Sequence, residues 1–181
     1  WRGRGCPFIF GGVATATFLE RIEDAAGPHF EVLSTRCATD FSNNIRNNRG
    51  FMNRTHPDTV DAPDKLFYQK GRKGVKEVGP MVAKQISAHL GDKDLPVEEL
   101  RRMWLHQANQ NMNNLIAKRV LGRPASPEES PTILDEYANT SSAGSIIAFH
   151  KHRADLKKGD LGVICSFGAG YSIGSVIVRR V

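Results

Sequence analysis

Apolar residues recur along this chain at two periods, and the changes of period mark out its elements. Pro7 to Leu19 holds Phe8-Ile9-Phe10, a Gly11-Gly12 pair, and then Val13, Thr15, Thr17 and Leu19 at every second position, which predicts two strand segments joined at a bend. Phe30, Val32, Leu33 and Thr35 predict another short strand. From Gly74 to Leu90 the period changes: Val75, Val78, Val82, Ile86 and Leu90 recur at the spacing of one helical face, with Pro80 either kinking the helix or opening its regular part. Val97 to Arg102 reads as a helical turn leading into the apolar strand Met103-Trp104-Leu105. Ala108, Met112, Leu115, Ile116 and Val120 then share one face of a helix over 107–121. After a connection rich in proline, Ile133-Leu134 opens a short strand, and Tyr137 to Ser142 passes into a helix over 142–155 capped by Thr140 or Ser141. Leu161 to Ser166 is a further apolar run, and Ile173, Ser175 and Ile177 alternate in a last strand over 172–180.

Strands alternating with helices predict an α/β fold with packed helices on a mixed, mainly parallel sheet. In such sheets ligands collect where strands end and helices begin. His106 and Asn139 both occupy positions of that kind, and Gly168-Ala169-Gly170 offers small residues that allow close backbone approach. A buried histidine bonded to backbone satisfies the same pattern around His106 without any chemistry. Between Asp40 and Asp64 the chain turns polar and irregular, with Asn43, Asn44, Asn47, Asn48 and Asn53 among arginines and prolines, and reads as a surface loop insertion at about 40–64.

Composition narrows the class. With 181 residues and 40% hydrophobic content the chain can bury one core. A net charge of +6 and a pI near 9.4 suit an acidic partner, whether nucleic acid, anionic membrane or acidic protein. No basic stripe interleaved with aromatics supports nucleic acid. No apolar run reaches the roughly 18 to 20 residues of a membrane helix. The three cysteines, Cys6, Cys37 and Cys165, are far apart and form no Cys-x-x-Cys pair, which fits a reducing cytoplasm better than a disulfide framework or zinc ribbon. His150 and His152 lie two apart on a helix, point to different sides and predict no metal site. The chain starts without methionine and enters an apolar stretch almost at once, the pattern of a fragment or processed piece.

Three motifs carry a resemblance: His106-Gln107-Ala108-Asn109, Tyr137-Ala138-Asn139-Thr140-Ser141-Ser142-Ala143 and Ser166-Phe167-Gly168-Ala169-Gly170. Their order and spacing are similar to those of the β-ketoacyl-acyl carrier protein synthase III family, of thiolase-like fold. Phe10-Gly11-Gly12-Val13-Ala14 resembles that family's Phe-Gly-Asp-x-Ala strand, with Gly12 in place of the usual acid. The resemblance implies that residues 1–20 are the last strands of an N-terminal half and 21–181 the C-terminal thiolase-like domain. With the Asn109 to Asn114 run, the Asn-rich segment resembles the branch that includes ketosynthases making dialkylresorcinol-type products.

The family's reaction is decarboxylative Claisen condensation by Cys, His and Asn, without a cofactor. The resemblance implies that His106 and Asn139 donate hydrogen bonds to the malonyl thioester oxygen, and that backbone around Gly168, Ala169 and Gly170 serves the oxyanion of acylation. The nucleophile would lie upstream of Trp1, since none of the three cysteines sits in a small-residue sequence at a helix start, and the chain alone would be inactive. Lys76, Lys118 and Arg119 match basic positions by which the family docks acyl carrier protein, whereas Asn111 stands where an arginine often does. The implied partners are acyl carrier protein, an acyl-CoA or acyl-carrier thioester, and a second copy in a homodimer; nucleic acid and membrane are not implied. A non-catalytic ketosynthase-like partner subunit would show the same downstream motifs.

Overall fold

The computed structural model describes residues 9–46, 56–59, 62 and 68–181. Cys6, Phe8, most of the 40–64 stretch and the side chain of Val75 lie outside the described residues. The elements are strands β1 (Phe30–Ser42), β2 (Ile45–Arg46) and β3 (Tyr68–Gln69), helix α1 (Gly71–Gly91), strand β4 (Leu100–Leu105), helices α2 (Gln110–Leu121), α3 (Leu134–Tyr137) and α4 (Ala143–Lys151), and strands β5 (Leu161–Gly168) and β6 (Gly170–Arg180). One sheet has the order β1-β6-β5-β4, and β2 pairs with β3 separately.

Two cores follow from strands that are apolar on both faces. Met103 and Leu105 of β4, with Val163, Cys165 and Phe167 of β5, pack under α1 and α2. Trp104 points the other way, into a second core with Ile133, Ile147, Ala148 and Val178 beneath α4. The side-chain period of two divides neighbouring residues between these layers. Gly162 makes room for Trp104, because a Cβ there would lie 2.2 Å from the indole ring. Leu115 seats α2 on α1 at Gly79, where a Cβ would come within 3.2 Å of the leucine methyl. Arg102, 3% exposed beside this core, satisfies its buried charge with Asp155 at 2.6 and 2.7 Å and the carbonyls of Glu128 and His152. The Asp155 carboxyl is held at about 2 by those hydrogen bonds.

The sheet is mixed, but its proportion differs from the mainly parallel expectation. β4 and β5 are parallel, as a helical crossover permits, whereas β5 and β6 are antiparallel because Ala169 joins them directly, and β1 adds antiparallel to β6. β1 runs to Ser42, well past the predicted Thr35, because β6 supplies a ladder almost to its end. The alternation at 13–19 forms no strand: Val13, Phe18 and Leu19 are exposed, and among the described residues of this stretch Phe10 alone forms a bridge, parallel to Asn139. Alternating residues become a strand only where a neighbour completes the backbone hydrogen bonds.

Ile133-Leu134 likewise opens the helical turn α3 rather than a strand. The Ile133 N–H is taken by the Gln107 side chain, and its carbonyl accepts from Glu136 and Tyr137. Helix α2 starts at Gln110, later than predicted, since the Asn109 side chain caps it by accepting from the N–H groups of Asn111 and Met112. Helix α4 has Ser142 at its N-cap with no side-chain cap bond, so neither Thr140 nor Ser141 serves. It stops at Lys151, where the next carbonyl, of His152, is claimed by Arg102 and by the Trp104 indole N–H. Among the described residues no helix is long and apolar enough to cross a membrane.

Candidate functional site

His106 continues β4 by one more rung, its backbone N–H donating to the Cys165 carbonyl at 2.8 Å. The chain then leaves the sheet. Gln107 anchors the departure: fully buried, it donates to the carbonyls of Leu105 and Pro131 and accepts from Thr132 and the Ile133 N–H. The His106 ring, 6% exposed, meets Phe167 edge to face at 4.9 Å. Nδ1 lies 2.7 Å from the Ser141 carbonyl. A carbonyl only accepts, so Nδ1 carries the proton and the neutral ring presents a lone pair at Nε2. Burial lowers the His106 pKa from 6.5, partly opposed by the bond to Ser141. His106 therefore donates through Nε2 only as an imidazolium.

Asn139 is fixed through the same residue. The Ser141 N–H donates to Asn139 Oδ1 at 3.0 Å, which commits the amide oxygen and leaves Nδ2 as the donor. One residue, Ser141, thus aims both side chains, its carbonyl holding the histidine and its N–H the asparagine. Its φ of 57° is left-handed, as is that of Ala138 at 56°. The Asn139 backbone is pinned by residues 9–11: its N–H donates to Ile9, and its carbonyl accepts from Gly11, both at 2.9 Å. Gly11 has to be glycine, since a Cβ would lie 2.2 Å from the Tyr137 carbonyl oxygen.

Gly168, Ala169 and Gly170 form the tip of the β5–β6 hairpin, immediately after the phenylalanine that touches His106. Gly170 has φ 138°, and a Cβ there would collide with Ser172 at 2.6 Å. The three sequence motifs therefore meet: His106 joins Asn139 through Ser141, and the hairpin through Phe167. Lys76 stands exposed on α1, and Lys118 and Arg119 in the last turn of α2, about 14 Å of helix beyond Asn109. Lysine and arginine there also complement the helix dipole. Lys118 lines a groove of about 410 Å³ against Pro124–Pro127, and a second concavity of about 450 Å³ lies between Asn44, Glu77 and Tyr171; neither is lined by His106 or Asn139.

Cys165 is fully buried, its thiol pushed up to about 12 by desolvation, which leaves it inert at neutral pH. Ser141, Gln107 and Phe167 lie within the three motifs, and Ser141 reads as a helix cap, but the sequence assigns none of them a role in holding His106 or Asn139. Only Phe167 carried a signal, sharing the period-two face of Val163 and Cys165. An imidazolium at His106 and the Asn139 Nδ2 donor, both aimed by Ser141, suit an oxygen on which negative charge develops.

Residues 90–180 match the sequence model described as 3-oxoacyl-[acyl-carrier-protein] synthase III C terminal. Over 181 residues the chain is 56% identical to the β-ketodecanoyl-[acyl-carrier-protein] synthase of Pseudomonas aeruginosa, covering 99% of this chain and 52% of that protein. It is 30% identical over 181 residues to the β-ketoacyl-[acyl-carrier-protein] synthase III of Rhizorhabdus wittichii, covering 99% and 53%. A crystal structure of a 3-oxoacyl-(acyl-carrier-protein) synthase III superposes with a TM-score of 0.68 at 22% identity, covering 92% of this chain and 50% of that one. The corresponding synthase III of Pseudomonas aeruginosa gives 0.67 at 20% identity, covering 82% and 44%. At such identities the structures show the shared fold alone, and the chain spans about half the length of the curated relatives it matches. The matched segment runs through β4 and His106, the Asn139–Ser142 loop and both strands of the 168–170 hairpin, and by that match the chain belongs to the 3-oxoacyl-[acyl-carrier-protein] synthase III family.

Proposed function

We propose that this chain is the C-terminal half of an enzyme that condenses an acyl thioester with malonyl-acyl carrier protein, releasing carbon dioxide, in fatty-acid or related lipid synthesis in the cytoplasm. Residues 1–20 would then belong to the N-terminal half, the alternation at 13–19 pairing as a strand only when that half supplies a neighbour, and 21–181 would be the C-terminal domain. The observation that carries the reading is the double use of Ser141, which aims the His106 ring and the Asn139 amide together. A cysteine thiolate from the upstream half attacks the acyl thioester, forming an acyl-cysteine and releasing the donor's thiol. The malonyl thioester then loses carbon dioxide, and charge gathers on its carbonyl oxygen. Asn139 meets that oxygen with Nδ2, and His106 with Nε2 as an imidazolium, in a site where fixed donors need no reorganisation. The Gly168-Ala169-Gly170 tip would serve the oxyanion of the acylation step. Lys76, Lys118 and Arg119 would steer the acidic carrier, and the intact enzyme would act as a homodimer. The name of the Pseudomonas aeruginosa relative points to a ten-carbon ketoacyl product.

In the full-length protein, His106→Ala and Asn139→Ala should each slow malonyl decarboxylation by about 10²- to 10³-fold, the effect of removing one oxyanion donor. Acyl transfer to the cysteine should suffer less. Measuring the half-reactions separately checks this, and equal loss in both would assign His106 to activating the nucleophile. A substituted residue at the upstream nucleophile position would instead identify a non-catalytic partner subunit.

A further inference from the structure

Two hydroxyls lie behind the Ser141 segment, one on α4 and the other on Ser166, which opens the third sequence motif. Ser145, 1% exposed in the first turn of α4, has its Oγ 2.9 Å from the Ser142 carbonyl and 2.6 Å from Ser166 Oγ, which projects from β5. Ser166 Oγ also lies 3.2 Å from the Ser142 carbonyl. Three contacts share two hydroxyl protons. The shortest arrangement sends the Ser145 proton to the carbonyl and the Ser166 proton to Ser145, a chain in which each bond polarises the next. A serine bonding back to the carbonyl three residues earlier is a local feature of many helix starts. Ser166 makes this one different, because it ties the carbonyl to another element of the sheet. The stretch it secures needs outside support: Ser141 is left-handed, and α4 begins with no side-chain cap.

We infer that the Ser145–Ser166 hydroxyl pair is a positioning device that fixes the Ser141–Ser142 backbone and thereby orients His106 and Asn139. The fixed carbonyl of Ser142 limits rotation of the peptide before it, whose Ser141 oxygen accepts from His106 Nδ1–H and from the Gly144 N–H. Ser166 immediately precedes Phe167, so the ring against His106 and the hydroxyl behind its acceptor move as one piece of β5. The kinetic part of the inference rests on the condensing activity proposed above; the geometric part does not.

The test is Ser145→Ala/Ser166→Ala in the full-length protein, read by imidazole ¹⁵N shifts of His106 and by the two half-reactions. A single Nδ1–H tautomer is expected in the parent and a tautomer mixture in the variant, with decarboxylation slowed about tenfold and acyl transfer nearly unchanged, since small misplacements of catalytic groups cost rate steeply. Ser166→Thr, which keeps the hydroxyl on a strand, should restore both readings. If the double variant does not fold, Ser166→Ala alone removes the tie to β5 and carries the same expectation. A parent-like tautomer with parent-like decarboxylation overturns the inference. An altered tautomer with unchanged decarboxylation supports the positioning role and overturns the part assigned to His106 in the reaction.

Discussion

The two turns that deliver His106 and Asn139 are built on opposite plans. The first holds itself: Gln107 fills all its hydrogen-bonding capacity in the core, Asn109 caps the helix that follows, and neither His106 nor its neighbours through Asn109 has a left-handed backbone. The second is held from outside. Ala138 and Ser141 are left-handed, Ser142 has no capping bond, and the loop is bonded by Ile9 and Gly11, by His106, and by the Ser145–Ser166 pair. Stability is invested in one turn and orientation in the other. Damage should divide accordingly, into loss of folding at the first and loss of catalytic geometry at the second.

The largest effect should come at the first turn. Gln107→Ala leaves two carbonyls and the Ile133 N–H without partners in a dry core and should destabilise the protein by about 3 kcal/mol. Chemical denaturation measures it, and a loss of stability no greater than at a surface site would erase the contrast between the turns. A smaller effect concerns pH. If His106 works as an imidazolium, decarboxylation should fall about tenfold per pH unit above its pKa, which burial has placed below 6.5. The sign is fixed because the protonated fraction shrinks as pH rises; a rate that climbs through the same range would make the Nε2 lone pair the working group. The smallest effect should be a gain. Ala138, at φ 56° and ψ −158°, occupies a region that suits glycine, so Ala138→Gly should raise the melting temperature by an amount equivalent to about 1 kcal/mol. No gain would mean that the second turn is less strained than its dihedrals suggest.

The same contrast explains what could be read in advance. Helices α1 and α2 announced themselves because Val78, Val82, Ile86 and Leu90, and Met112, Ile116 and Val120, repeat at the helical period and are all buried. Strands β4 and β5 were visible as apolar runs buried on two sides, and β6 through the alternation of Ile173, Ser175 and Ile177. The start of α2 was also legible, since an asparagine before an apolar helical pattern is a capping signal, though the predicted boundary overlooked Asn109. The second turn left less trace. Ile133-Leu134 is too short a run to separate a helical turn from a strand, and nothing in Ser141 or Ala138 declares a left-handed backbone. The passage from apolar run to helix brought Asn139 forward before the motif resemblance did, whereas the serines that hold its loop reach it from α4 and β5, and nothing local to either declares that contact.

The bond pair between residues 9–11 and Asn139 also closes one of the long loops of the chain. Both backbone groups of Asn139 close onto the earliest described stretch of the chain, so β1 to β4 and α1 to α3 lie inside the loop that this contact completes, and α4, β5 and β6 lie outside it. Closing so long a loop costs only slightly more entropy than closing a moderate one, but the search is slow, and contacts of high sequence separation limit folding rates. The sheet around β4 to β6 can assemble while the asparagine still lacks its frame. The frame of Asn139 is therefore expected to close on the timescale of the equally long-range pairing of β1 with β6, where Phe30 lies opposite Arg180, and later than the local β5–β6 hairpin.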